Sequence, residues 1–172
     1  MTAKTRIVLT DDDVWFREEM AKMLSAQESL EIVAQADNGE EALLAFGKQP
    51  AEIAMLDIDM PVLDGVSAAE KIHNQYPDVK IIMMTSFEHN DSYRRSYAAG
   101  AHAFLTKDAP IEQFLSAIER ILAGERLMEI RPQDVLREAH SNQKETPADQ
   151  IPANTKLSAR IKGAFSRLTG GN

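Results

Sequence analysis

RIVLTDDDVWFREEMAKML, residues 6–24, is the stretch from which the fold can be read. Arg6 to Thr10 is a short β-branched run, three acids follow at Asp11, Asp12 and Asp13, and Val14, Phe16, Met20, Met23 and Leu24 then recur near helical spacing. The same strand, turn and helix unit repeats along the chain. Glu31 to Ala36 (EIVAQA) reads as a strand, and Asn38 with Glu41 three residues on makes a capping-box-like start to a helix ending near Lys48. Glu52 to Asp57 predicts a strand, Ser67 to Tyr76 a helix and Lys80 to Thr85 a strand. Asn90 to Ala99 predicts a helix with Gly100 just past its end, His102 to Thr106 a strand, and Ile111 to Ala123 a helix stopped by Gly124.

Strands alternating with helices at this spacing imply a parallel sheet with both faces covered, because each parallel crossover lays a helix on the sheet. In such doubly wound α/β sheets the ligand site lies at the carboxyl ends of the strands, near the point where strand order reverses.

The whole chain has 172 residues, a formal net charge of -8 and no cysteine, which excludes a disulfide scaffold and a thiolate metal site. The start MTAKTRIVLT lacks the features of a secretory signal, and no run of about 18 apolar residues occurs, so a cytoplasmic protein is expected. Residues 1–124 carry 11 basic and 21 acidic side chains, whereas 151–172 hold Lys156, Arg160, Lys162 and Arg167 with no acid. An acidic body of this kind repels nucleic acid; only the basic end attracts an anionic partner.

The expected organisation is a domain over 1–124, a short linker helix over 125–140, a flexible linker over 141–155 and a basic amphipathic helix over 156–172. Pro132 to Ala139 suits a short helix with Pro in its first turn, and SNQKETPADQIPANT (Ser141 to Thr155) has no apolar periodicity. Leu157, Ile161, Ala164, Phe165 and Leu168 fall on one helical arc of about 100°.

Reading the strand ends in order yields Asp11 and Asp12, then Asp57, then Thr85, then Thr106 with Lys107. Three carboxylates at one edge repel one another unless a hard divalent cation sits among them, and Mg²⁺ prefers oxygen ligands and keeps several waters. Such a metal, a free carboxylate, a hydroxyl and an ammonium outline a phosphoryl-transfer site with a carboxylate as nucleophile.

The runs IVLTDDD, MLDIDMPVLDG, MMTS and AFLTKD, at these spacings, resemble the receiver domain of bacterial two-component response regulators. The phrases EIVAQADNGEEAL and YAAGAHAFLTKDAPIEQFLSAIERILAGE are most similar to the NarL/FixJ-type subfamily, whose receiver usually precedes a LuxR-type helix-turn-helix. The resemblance implies a flavodoxin-like (βα)5 fold of strand order 2-1-3-4-5, followed here by a short helical or disordered extension. It implies phosphorylation of Asp57 by a sensor histidine kinase, with Mg²⁺ or Mn²⁺ held by Asp12 directly, by Asp11 through water, by Asp57 itself and by the backbone carbonyl of Asp59. By the same resemblance Lys107 pairs with the phosphoryl group or with Asp57, Thr85 hydrogen-bonds the phosphoryl oxygen, and Phe104 fills the space that Thr85 vacates. The surface formed by the fourth helix, fifth strand and fifth helix then changes state.

The sequence departs from that pattern in several places. The switch aromatic is Phe104 rather than Tyr, Asp108 stands where many receivers have Pro after the lysine, and Asp13 replaces a frequent His and has no assigned role. By the same resemblance, Asp59 and Phe87 flank the phosphorylation site at positions that tune dephosphorylation. Taken singly, each motif has a plainer reading: Asp11 to Asp13 as a solvated cap, Lys107 as a surface lysine, Phe104 as core, Tyr93, Arg94, Arg95 and Tyr97 as an exposed helical face. Met60, Pro61, Asp64 and Gly65 read as turn and packing residues, and the four histidines as structural. Asp57 and Asp59 also match the DxD of haloacid-dehalogenase-type phosphatases, but there the extra acidic pair follows the lysine, whereas here Asp11 and Asp12 precede the nucleophile. A LuxR-type helix-turn-helix needs about 60 residues and only 48 follow Gly124, so DNA binding is not expected, short of a reduced C-terminal element. For the C-terminal helix a protein partner or self-association, such as a homodimer on phosphorylation, ranks first, docking on its own body second, a membrane third and DNA last. External substrate turnover, as by an enzyme, is not expected.

Overall fold

The computed structural model describes residues 3–86 and 90–129. Phe87, His89 and the expectations for the chain from residue 130 onward lie outside them.

Ten elements alternate: β1 (Thr5–Thr10), α1 (Val14–Ser25), β2 (Leu30–Ala36), α2 (Gly39–Lys48), β3 (Ile53–Asp57), α3 (Gly65–Gln75), β4 (Lys80–Thr85), α4 (Asn90–Ala98), β5 (Ala103–Thr106) and α5 (Ile111–Leu122). The strands form one parallel sheet of order β2-β1-β3-β4-β5. This is the flavodoxin-like (βα)5 topology expected from the sequence. The central strands show no polar alternation because both faces are covered: Ile7 to Thr10, all of β3, and Ile81 to Thr85 are buried.

Alternate side chains of each strand feed two cores. Val8, Leu56, Ile81 and Met83 pack with Phe46 of α2 and Ile72 of α3 on one face. Ile7, Leu9, Met55 and Met84 pack with Leu24 of α1 and Phe114 and Ile118 of α5 on the other. At about 1.5 to 3 kcal/mol for each large aliphatic or aromatic side chain, these two layers are the main stabilising term.

Side-chain caps set the helix starts. Asp13 Oδ1 accepts from the amides of Trp15 and Phe16 at 3.0 and 3.1 Å, satisfying first-turn donors of α1. Asn38 Oδ1 accepts from Glu41 N at 3.0 Å, while the Glu41 carboxylate reaches back to Asp37 N at 3.3 Å, one residue before the cap. α3 begins at Gly65 rather than at Ser67, because Asp64 is its cap: Oδ1 accepts from Ser67 N at 3.0 Å and Oδ2 from Ser67 Oγ at 2.7 Å.

The β3–α3 loop contains one strained residue. Val62 has φ of +68° and is 74% exposed, so a β-branched side chain sits in the left-handed region without burial to offset the cost. Val62→Asn, which tolerates that conformation, is expected to raise stability by about 1 kcal/mol in urea unfolding; an unchanged or lower midpoint would show that the loop carries no strain.

Candidate functional site

β1 and β3 are neighbours in the sheet, but their connections run to opposite sides, which opens a cleft at their carboxyl ends. Thr10 pairs in register with Leu56, so Asp11, next after β1, and Asp57, the last residue of β3, emerge side by side. Thr85 ends β4 and pairs with Thr106 of β5, and the Lys107 amide continues the ladder by donating to Thr85 O at 2.8 Å. The strand register alone therefore collects residues from four strand ends at one edge.

Their side chains meet there. Lys107 Nζ lies 2.7 Å from Asp11 Oδ2 and 3.0 Å from Asp57 Oδ2. Asp11, Asp12 and Asp57 each offer a carboxylate oxygen within 4.8 Å of the others, the single such cluster of His, Asp and Glu among the described residues. Asp11 and Asp57 are buried and Asp12 is exposed, so the cluster opens to solvent through Asp12. The Lys107 ammonium also lies 5.0 Å from the centroid of the Phe16 ring, on the same side as α1. Thr85 is buried at the end of β4. Phe104 is half-buried and meets Tyr93 of α4 edge to face, with centroids 5.3 Å apart. Asp59 is exposed and its carboxylate stays outside the cluster.

The electrostatics follow from burying more carboxylates than cations. Burial, and then the charge of Asp11, push Asp57 up to about 6 against the opposing hydrogen bond from Lys107. Burial likewise raises Asp11. Burial would lower Lys107, but its hydrogen bonds to Asp11 and Asp57 outweigh that and hold it above its ordinary value. One ammonium thus faces three carboxylates, two of them driven toward protonation. An all-oxygen donor set with an excess of negative charge and one solvent-open side fits a hard divalent cation that retains water.

Three contacts missed in the sequence hold this edge in shape. The Asp13 amide donates to Asp11 Oδ1 at 2.9 Å, so the third acid both caps α1 and orients its neighbour. Arg17 Nη1 donates to the Asp11 carbonyl from the second turn of α1. A Cβ on Gly65 would lie 1.8 Å from the Asp57 carbonyl oxygen, and Gly65 N donates to Ile58 O at 2.9 Å. Gly65, read from sequence as a turn residue, is needed for close backbone approach to Asp57. His102 conforms to its structural reading: burial, then nearby Lys80 and Arg126, lower it to about 4, and its neutral Nδ1 accepts from Ile81 N at 3.2 Å.

The response regulator receiver domain family matches residues 7–119. Response regulator GacA of Pseudomonas aeruginosa is 30% identical over 148 residues, 85% of this chain and 69% of that protein. Oxygen regulatory protein NreC of Staphylococcus epidermidis is 30% identical over 151 residues, 87% of this chain and 68% of its own length. Other curated relatives are matched over as little as 51% of their length. Among solved structures, a LuxR-family two-component response regulator from Aurantimonas sp. SI85-9A1 aligns with a TM-score of 0.68 and 25% identity, covering 83% of this chain and all of that one.

Two outcomes test the geometry of the site. Gly65→Ala forces a methyl into the Asp57 backbone and is expected to cost about 3 kcal/mol of stability by urea unfolding; a loss under about 1 kcal/mol would mean that the loop yields easily. Asp57 keeps its proton up to a pH of about 6 when folded and loses it near 3.8 when unfolded, so stability falls as pH rises through that window. Asp57→Asn is accordingly expected to gain on the order of 2 kcal/mol at pH 7.5 without divalent metal, and little at pH 4 or below; equal gains at both pH values would refute the burial argument.

Proposed function

This chain belongs to the response regulator receiver domain family, and we propose that it accepts a phosphoryl group on Asp57 from the phosphohistidine of a sensor histidine kinase. The observation that carries this reading is Lys107, bridging Asp11 and Asp57 at 2.7 and 3.0 Å with Asp12 beside them. In the proposed step a carboxylate oxygen of Asp57 attacks phosphorus, the P–N bond breaks, and the departing imidazole takes up a proton. Lys107 is placed to exchange its bond with Asp57 for one with a phosphoryl oxygen, and Thr85 to donate its hydroxyl to another.

Asp12 directly, Asp11 through water, Asp57 and the backbone carbonyl of Asp59 are the proposed holders of Mg²⁺ or Mn²⁺. When bound, that cation neutralises charge on the equatorial phosphoryl oxygens. Phe104 is the proposed switch, moving inward as Thr85 engages the phosphoryl group. The chain assists its own phosphorylation and dephosphorylation on this reading and turns over no external substrate; receiver-family membership speaks against the phosphatase alternative.

The finer proposals concern the rest of the chain. We propose the NarL/FixJ-type subfamily, which the names of LuxR-family relatives favour, and a receiver over 1–124 followed by a linker (125–140) whose short helix would start beyond the non-helical residues 125–129, a flexible linker (141–155) and a basic helix (156–172). Output through protein contacts, including a homodimer or a target of the C-terminal segment, is proposed ahead of DNA and membrane. No helix among the described residues is long and apolar enough to cross a membrane, and the cytoplasm is the proposed compartment.

Intact mass after incubation with Mg²⁺ and acetyl phosphate tests the chemistry. One added phosphoryl group on the native chain and none on Asp57→Asn is expected, with Lys107→Ala slower by about a hundredfold; a gain on Asp57→Asn, or none on the native chain, would overturn the assignment. Trp15, the sole tryptophan, is 73% exposed beside the acidic loop, so its emission is expected to report Mg²⁺ binding. Asp12→Ala should weaken that response at least about tenfold, and equal affinity in the variant would remove Asp12 from the metal set.

A further inference from the structure

The ammonium of Lys107 has a third neighbour besides the two carboxylates it bridges. Its Nζ sits over the ring of Phe16, 5.0 Å from the centroid. A cation is drawn to the negative face of an aromatic ring, and more strongly where water is excluded. Water is largely excluded here, since the Lys107 side chain is 14% exposed and those of its partners Asp11 and Asp57 are buried.

Both ends of this contact are fixed by the fold. The Phe16 amide donates to Asp13 Oδ1 at 3.1 Å in the cap of α1, and Asp13 donates its own amide to Asp11 Oδ1 at 2.9 Å. One residue thus fixes both the ring and a carboxylate that Lys107 meets. The half-buried ring packs against the core shared by α1 and α5, which also takes in Leu105 and Ala109, two residues to either side of Lys107. Packing on that core requires only an apolar body at position 16. A ring face set over an ammonium is a further property, and one that an aliphatic side chain lacks.

We infer that Phe16 is a positioning residue for the reaction of Asp57, acting through Lys107. The inference rests on the phosphoryl-acceptor reading above. The two kinds of contact made by Nζ differ in their directionality. Each carboxylate takes a hydrogen bond along a definite N–H direction, whereas the ring attracts the charge without accepting a directed bond. Lys107 is therefore free to change oxygen partners while the ring keeps its charge at the strand edge. Without the ring, the ammonium is tied only to the carboxylates, and the freedom of its flexible four-carbon stem returns whenever one of those bonds is given up. Phe16 touches no reacting atom, and its effect falls on the rate at which Asp57 reacts rather than on the fold.

The full-length chain tests this in its native form, as Phe16→Leu, as Phe16→Tyr, and with a trifluorinated phenylalanine at position 16, which keeps the shape of the ring and drains the negative charge from its face. Each form is followed by its initial rate of mass gain with Mg²⁺ and acetyl phosphate, by its urea midpoint, and by the proton shift of the Lys107 ε-methylene, which a ring face beside it moves upfield. The methylene is expected upfield in the native chain and unshifted in Phe16→Leu. The trifluorinated chain is expected to react about fivefold more slowly at an unchanged urea midpoint, a factor equivalent to about 1 kcal/mol. Phe16→Leu is expected to be at least as slow, and Phe16→Tyr, which keeps the charged face, to recover most of that loss. A native rate in the trifluorinated chain would overturn the positioning role and leave the acceptor reading standing, as would an unshifted methylene in the native chain. Absence of a mass gain in the native chain would overturn the acceptor reading and the positioning role with it.

Discussion

Two carboxylates buried at adjacent strand ends need a cation between them, and Lys107 is that cation. Its ammonium bridges Asp11 and Asp57, which the register of β1 and β3 places side by side. With either carboxylate alone the lysine would make an ordinary buried pair; with both, plus exposed Asp12, the edge keeps an excess of negative charge. Burial first, and that excess behind it, raise Asp57 and Asp11, and an all-oxygen edge of this charge suits a hard cation. The sheet order serves the same end, since β5 must lie beside β4 for Lys107 to follow Thr85 and reach back to β3.

Holding charged groups at a loop edge requires backbone that does not drift. Asp13 and Arg17 secure the Asp11 backbone and carboxylate from α1, and Gly65 lets the start of α3 press against the carbonyl of Asp57. These residues touch no reacting atom, yet each limits where the carboxylates can go, and a displacement of about 1 Å is enough to spoil phosphoryl-transfer geometry. The exposed and strained Val62 lies on the same β3–α3 loop, so the loop's conformation is imposed by its surroundings rather than by its own preferences.

The elements were legible because their signals are local. Continuous apolar runs such as Ile81 to Met84 can only be strands covered on both faces, and caps such as Asn38 and stops such as Gly124 are read within a few residues. The gathering of Asp11, Asp12, Asp57 and Lys107 was legible too, because a wound α/β sheet sends strand ends to one edge. What escaped were consequences of packing across the fold. Asp64 as a cap moved the start of α3, Gly65 answers to a carbonyl oxygen rather than to a turn, and the Asp13 amide donates to Asp11 Oδ1 while its carboxylate caps α1. Tyr93 read equally well as an exposed helical face, since its partner at Glu129 is 36 residues away and no periodicity connects them.

That distant contact joins two needs of the sheet. An edge strand presents unpaired backbone groups and must be covered or blunted, and here the Leu127 amide takes up His102 O just ahead of β5, while β2 at the other edge carries the exposed charge of Glu31. The turn after α5 uses little chain and places that segment against α4, the helix whose Tyr93 rests on Phe104. Contact at the sheet edge and contact with the proposed switch aromatic then belong to one short segment. The hydroxyl of Tyr93 makes two hydrogen bonds at the rim rather than burying another side chain, so the segment is fastened there by interactions of modest net strength.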